Sequence, residues 1–438
     1  MSTESMRIPD GPNTKYDTSV DLLVWLETNF VRFGDIYRAS IYGVNAYVVS
    51  DPNLADYVLR QNWQNYKKGQ AIKRIGFLLG NGLMVSEGEL WKRQRRMIQP
   101  AFHEKALATL TDVILAENLA LLKQWGEAAA SNQSVNITTD ISASTLKITL
   151  TSIFGEDYDQ VAAQFNIISN EHARTMRFAE SFRPLRKIVL EIAQQRRSRN
   201  VTRTDFLGML MGARDQKTGQ PMSDAQLVNE IITLVVAGHE TTASTLDWTW
   251  YLLSQHPEVE EKLARELAAL PENTLPGLNQ LPQFPYSRQV IEEALRLYPA
   301  GWLMTRRALK DDRLGEYFVP SGTEIYIAPY IIQRHPALWR QPNRFNPDRF
   351  AVDLSNERHP HAMIPFSAGP RKCIGEMLAR VEMQFHLMII ARRLHLTYES
   401  EAAPELDAGV NLRSKHDFFM TPKFFRHEHE LQAAETAL

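Results

Sequence analysis

The chain has 438 residues, 44% hydrophobic and 23% charged, with a formal net charge of −2. That is an ordinary composition for a globular protein, and nothing global in it argues for nucleic acid or an anionic membrane as partner. Its single cysteine excludes an intrachain disulfide and a multi-cysteine zinc site, and fits a reducing compartment.

The first 23 residues are polar, are broken by Pro9 and Pro12, and lack the apolar run of a leader or anchor. A cytoplasmic protein with no membrane segment is expected. Residues 36–50 read as a hairpin about Gly43-Val44-Asn45. Asp51 and Pro52 supply an N-cap and first-turn proline for a helix through Arg60. Residues 63–88 are punctuated by glycine and read as irregular. Helical patterns run from Leu90 to about Arg199, and residues 197–203 form a polar loop.

Ser223 and Gln226 spell a capping box, opening a helical pattern that runs to Gln255, where His256-Pro257 stops it. Asn229, Glu230, His239, Glu240 and Asp247 exclude a membrane span. A long, largely apolar helix of this kind is the central helix of a large domain. Residues 268–286 are a proline-rich connection. A helix follows over 287–298, then a strand over 323–328. Residues 336–370 are long and aperiodic, a pattern that points to function. A last long helix follows Cys373, with a short β-rich tail. The fold class is mainly α with a minor β region. Length alone suggests about three domains, but the pattern reads as a single domain over 1–438.

The chemistry concentrates in Phe366–Gly375, FSAGPRKCIG. Gly369 and Gly375 permit close backbone approach. Cys373 stands at a helix N-terminus, where the macrodipole favours a thiolate, and Arg371 adds positive charge. A stabilised thiolate is a ligand for soft metal centres. With no second cysteine, it serves as a lone axial ligand, as in haem-thiolate proteins. The segment resembles the haem-binding signature of the cytochrome P450 superfamily, and Phe366, Gly369, Arg371, Cys373 and Gly375 match every fixed position.

Further matches follow in the family's order. Glu293 and Arg296 resemble its Glu-x-x-Arg pair, which shares one helix face. Arg349, in FNPDRF, resembles the arginine that joins it; the three are structural. Trp91 and Arg95 resemble the Trp-x-x-x-Arg pattern that contacts a haem propionate. Arg306, with Arg371, is implied as a further propionate cation, and Arg307 is the adjacent alternative. Ala237-Gly238-His239-Glu240-Thr241 resembles the oxygen-activation motif. There Ala237 lies against the haem, and Thr241 and Glu240 deliver protons. A threonine hydroxyl bonded to an earlier carbonyl, with Gly238, is expected to loosen the helix into a local groove. His239 is structural and Thr242 packs.

The resemblance implies a long central helix over haem b and a monooxygenase that uses O2. Its electrons are expected from a separate ferredoxin or flavodoxin with its reductase, since the 65 residues after Cys373 contain no further cysteine. Lys92, Arg93, Arg96 and Lys372 offer a basic docking surface. Leu83, Leu234, Trp302, Leu303, Met304, Val410 and neighbouring Asn411 are expected to line the pocket of a small apolar organic substrate, with no nucleic acid and no membrane involved. A haem-thiolate isomerase or dehydratase, or a haem protein without turnover, is the alternative; Glu240 and Thr241 argue against both. Two features depart from the family. The lid span between residues 155 and 223 is short, leaving Phe165, Met176 and Phe178 unassigned, and Gln333 replaces a frequent histidine.

Overall fold

The computed structural model describes residues 7–165, 182–271 and 274–425. Helix α1 (Leu22–Phe33) leads into the hairpin of β1 (Ile36–Ile41) and β2 (Val44–Val49). Ile41 pairs with Val44, so the turn is Tyr42-Gly43 rather than Gly43-Val44-Asn45. Both turn residues have positive φ, 51° and 75°, which gives the two-residue turn that matches strand twist. Val44 and Asn45 already belong to the ladder. Asp51 caps α2 (Pro52–Asp56), accepting from Leu54 N at 2.8 Å. The helix then continues to Gln61 as a π turn.

Residues 63–88, expected to be irregular, hold β3 (Tyr66–Lys68) and α3 (Gln70–Leu79). Gly69 and Gly80 are the caps of α3, so two of the glycines read as breakers mark its ends instead. Strands β4 (Met304–Ala308) and β5 (Glu324–Ile327) complete a five-stranded sheet of order β1-β2-β5-β4-β3. Only β2 and β5 run parallel.

The helical part comprises α4 (Gly88–Ile98), α5 (Thr111–Ala130), α6 (Ile137–Phe154) and α7 (Phe182–Ser198). It continues with α8 (Asp224–Gln255), α9 (Pro257–Leu267), α10 (Pro285–Leu297) and α11 (Glu376–Ile390). Helix α8 joins the two largest core clusters. Its Trp248 and Trp250 pack in one with Trp125 and Phe385, while its Ile231, Ile232 and Val235 pack in the other with Leu150 and Phe154. A helix apolar on nearly every side is the interior axis of the fold.

Half of the expected capping box forms. Ser223 accepts from Gln226 N at 3.3 Å, but Gln226 Oε1 accepts from Arg93 instead of turning back to the cap. Thr233, Thr241, Thr245 and Thr249 each donate to the carbonyl four residues earlier. Helix α8 runs without interruption from Asp224 to Gln255. A Cβ at Gly238 would stand 3.4 Å from Thr149 of α6, an ordinary packing distance. The tail forms β6 (Leu394–Tyr398), β7 (Leu406–Ala408), β8 (Leu412–Ser414) and β9 (Phe419–Phe424). Among the described residues no helix is long and apolar enough to cross a membrane.

Candidate active site

The cysteine loop is a tight backbone construction. Ser367 N donates to Ile364 O (3.0 Å), Lys372 N to Gly369 O (3.0 Å), and Cys373 N to Phe366 O (2.9 Å). Gly369 has φ +70°, and a Cβ there would come within 2.2 Å of the Leu59 carbonyl, so only glycine lets the loop lie against the π turn. Gly375 has an ordinary φ of −89° and caps α11. Phe366 packs against the core and lies under the Arg380 guanidinium, 4.8 Å from the ring centroid.

Cys373 is exposed to solvent, yet enough protein surrounds it for burial to push its thiol pKa up. A side chain both accessible and hemmed in lines a cleft. The Gly375 N–H opposes the rise, as do Arg95 and Lys372 more weakly.

Along α8, Leu234 and Thr241 are half-buried and Ala237 is exposed, between buried Val235 and His239. Spacings of three and four place them on one helix face. The Thr241 hydroxyl donates to Ala237 O at 2.8 Å. Glu240 Oε2 accepts from Asn411 Nδ2 at 3.2 Å, a partner the sequence reading missed. His239 is fully buried, lies 2.9 Å from the Ser142 hydroxyl, and is pushed down to about 4 by burial, in keeping with a structural part.

A second wall carries cations. Lys68 pairs in register with Arg306 across β3 and β4. Its ammonium donates to Leu83 O (2.9 Å) and Ser86 O (2.8 Å). The Arg371 guanidinium lies over the rings of Trp63 and Trp91, donates to Tyr66 O and Glu87, and leaves its Nε without a partner. Burial pushes Lys68 down to about 7 and Arg306 down to about 10; Arg371 adds to both shifts and Glu87 opposes them. Glu230, which accepts from Leu83 N, is raised by burial to about 8 and so is largely neutral at pH 7.

Lys68, Arg306 and Arg371 thus gather beside Glu87, an excess of basic groups that suits a ligand with two carboxylates. The haem propionates answer that description. Arg307 instead turns toward Glu324, at 3.6 Å. Arg95 donates to Lys372 O at 2.8 Å, joining α4 to the cysteine loop. Lys68 was missed because only the β3–β4 register brings it to this wall.

Leu83, Leu303 and Met304 are half-buried and Val410 is 73% exposed. Trp302 is a correction. At 3% exposure it belongs to the core around Leu23, Leu26 and Tyr37, and its indole donates to Gly409 O at 2.9 Å. It holds the turn beside Val410 and offers the pocket no open surface. Arg93 and Arg96 are drawn to Asp215, while Lys92 pairs with Glu89 and Lys372 with Glu376. Met176 and Phe178 lie outside the described residues.

Glu293 and Arg296, both wholly buried, make a two-point ion pair at 2.6 and 2.8 Å. Arg349 joins Glu293 at 3.2 Å, and Arg296 also donates to Gln333 O and Pro342 O. The Gln333 amide donates to Leu295 O and Arg296 O and accepts from Ile364 N, just before the cysteine loop. The residue that departs from the family therefore ties α10 to that loop.

A cysteine at the head of α11, a wall of basic groups on β3 and β4 and a long central helix are the parts that a haem-thiolate protein needs. The family model Cytochrome P450 matches residues 15–184 and 158–423. Cyclooctat-9-en-7-ol 5-monooxygenase of Streptomyces melanosporofaciens is 33% identical over 384 residues, 83% of each chain. Pentalenene oxygenase of Streptomyces avermitilis is 30% identical over 386 residues, 84% of this chain and 86% of its own. The crystal structure of the cytochrome P450DA heme domain superposes with TM-score 0.84 at 25% identity, covering 97% of this chain and 98% of that one. The chain belongs to the cytochrome P450 family. It is a haem-iron monooxygenase that inserts one oxygen atom from O2 into an organic substrate with electrons from a redox partner.

Proposed function

We propose that Cys373 is the axial thiolate of haem b in a single domain spanning 1–438. Trp91, Arg95, Arg306 and Arg371, with Lys68, hold the haem carboxylates. The observation that carries this reading is that Cys373, at the head of α11, and Ala237, on α8 between buried Val235 and His239, are both open to solvent. When bound, the haem supplies the iron chemistry that activates dioxygen.

The protein's own residues then manage protons and substrate. Ala237 presents the smallest side chain on the α8 face and leaves room in the cleft. The Thr241 hydroxyl donates its hydrogen bond to the Ala237 carbonyl, so its lone pairs accept a hydrogen bond from water or a reacting O–H. Glu240 is partly accessible and carries protons inward from solvent.

Leu83, Leu234, Leu303, Met304 and Val410 form an apolar pocket. The substrate is a terpenoid, a reading supported by the two relatives named for cyclooctat-9-en-7-ol and pentalenene. A ferredoxin or flavodoxin with its reductase, in the cytoplasm, supplies electrons. Lys92 and Lys372, 43% and 48% exposed, are the more open docking cations.

Turnover with a surrogate ferredoxin system, NADPH and a terpenoid panel tests the proposal. Thr241→Ala should bind haem and substrate normally while product per NADPH falls and hydrogen peroxide rises. Glu240→Gln should slow product formation by on the order of 10²-fold. Wild-type coupling in both variants removes the pair from the mechanism.

A further inference from the structure

We infer that Asn411 is a positioning residue for Glu240, coupling the loop beside the substrate pocket to proton delivery; this rests on the role proposed above for Glu240. Strands β7 and β8 pair Leu406 with Ser414, Asp407 with Arg413 and Ala408 with Leu412. Gly409, Val410 and Asn411 are left as the turn. An ion pair between Asp407 and Arg413 at 2.8 Å closes the ladder.

The turn is pinned on both sides of Asn411. The Trp302 indole holds Gly409 O at 2.9 Å. Leu412 N donates to Ala300 O at 3.0 Å, and the Ser244 hydroxyl, one helical turn after Glu240, donates to Leu412 O at 2.6 Å. Leu412 itself is wholly buried. Between these anchors the Asn411 amide reaches Glu240 at 3.2 Å, while the adjacent Val410 stands 73% exposed.

The chemistry of the partner matters. A lysine or arginine at this place would hold the carboxylate in an ion pair. An amide orients it without adding charge, and a neutral donor at 3.2 Å is released and re-formed at small cost. Val410 and Asn411 share a peptide bond, so substrate pressing on Val410 moves the amide that aims Glu240. Proton delivery is thereby made responsive to an occupied pocket.

The test uses haem-loaded enzyme, a surrogate ferredoxin with its reductase, NADPH, dioxygen and pentalenene as the apolar probe. Hydrogen peroxide released per NADPH and the solvent deuterium isotope effect on NADPH oxidation are read in wild type, Asn411→Ala, Glu240→Gln and the double variant. Asn411→Ala should raise peroxide per NADPH and the isotope effect severalfold at unchanged haem content, and should add nothing in the Glu240→Gln background. Wild-type values in Asn411→Ala, or an effect that multiplies with that of Glu240→Gln, overturn the inference. Wild-type values in Glu240→Gln alone would instead show that the assignment of Glu240 fails first.

Discussion

At the scale of single residues, the decisive quantity is buried charge. A lysine in water keeps its proton to about pH 10.4, but burial brings Lys68 down to about 7 in the haem-free site. Two carboxylates arriving there restore the charged form, so haem binding takes up protons between about pH 7 and 10. Haem should then be held more tightly as pH falls through that window, with no further gain below it. Haem transfer to apomyoglobin, timed at pH 7.5 and 9.5, should be slower at 7.5. Lys68→Met should transfer haem severalfold faster at pH 7.5 and lose this pH dependence; a variant with the wild-type rates at both pH values contradicts the assignment. Cys373, Arg371 and the Thr241–Glu240 pair were legible because their spacing is local. Lys68 and the pairing of Asn411 with Glu240 were not, because a strand register and a distant turn bring them together there.

At the scale of elements, the long helix and the cysteine loop were read from sequence for different reasons. Ser223 and His256-Pro257 mark the ends of α8, and its polar residues are too few to break the apolar pattern. The cysteine loop was legible through its glycines, although the close approach that Gly369 permits is to the π turn at Leu59. What failed was an inference from propensity: Gly69 and Gly80 cap α3 rather than break it. The link between α10 and the cysteine loop runs through Glu293, Arg296 and Gln333. Glu293→Ala would leave the Arg296 guanidinium at 0% exposure without its counter-charge, at a cost of about 3–5 kcal/mol. That is a large share of the ~5–15 kcal/mol that holds a typical domain. Expression of this variant should give little haem-loaded protein, and yield with haem content equal to wild type would show the pair to be dispensable.

At the scale of the molecule, the two largest clusters share α8 as their common wall, and the sheet strand β4 brings Arg306 to the site from the other part of the fold. The mainly helical class was evident from periodicity, but the sheet order was not, since β2 pairs in parallel with a strand some 280 residues later. The account as a whole stands on Cys373 as the metal ligand. Its most direct test is the absorption spectrum of the reduced carbon monoxide adduct in wild type and Cys373→Ser. Wild type should show the red-shifted Soret band of a thiolate-ligated haem, and Cys373→Ser should lack it. The same band persisting in Cys373→Ser would contradict the central assignment.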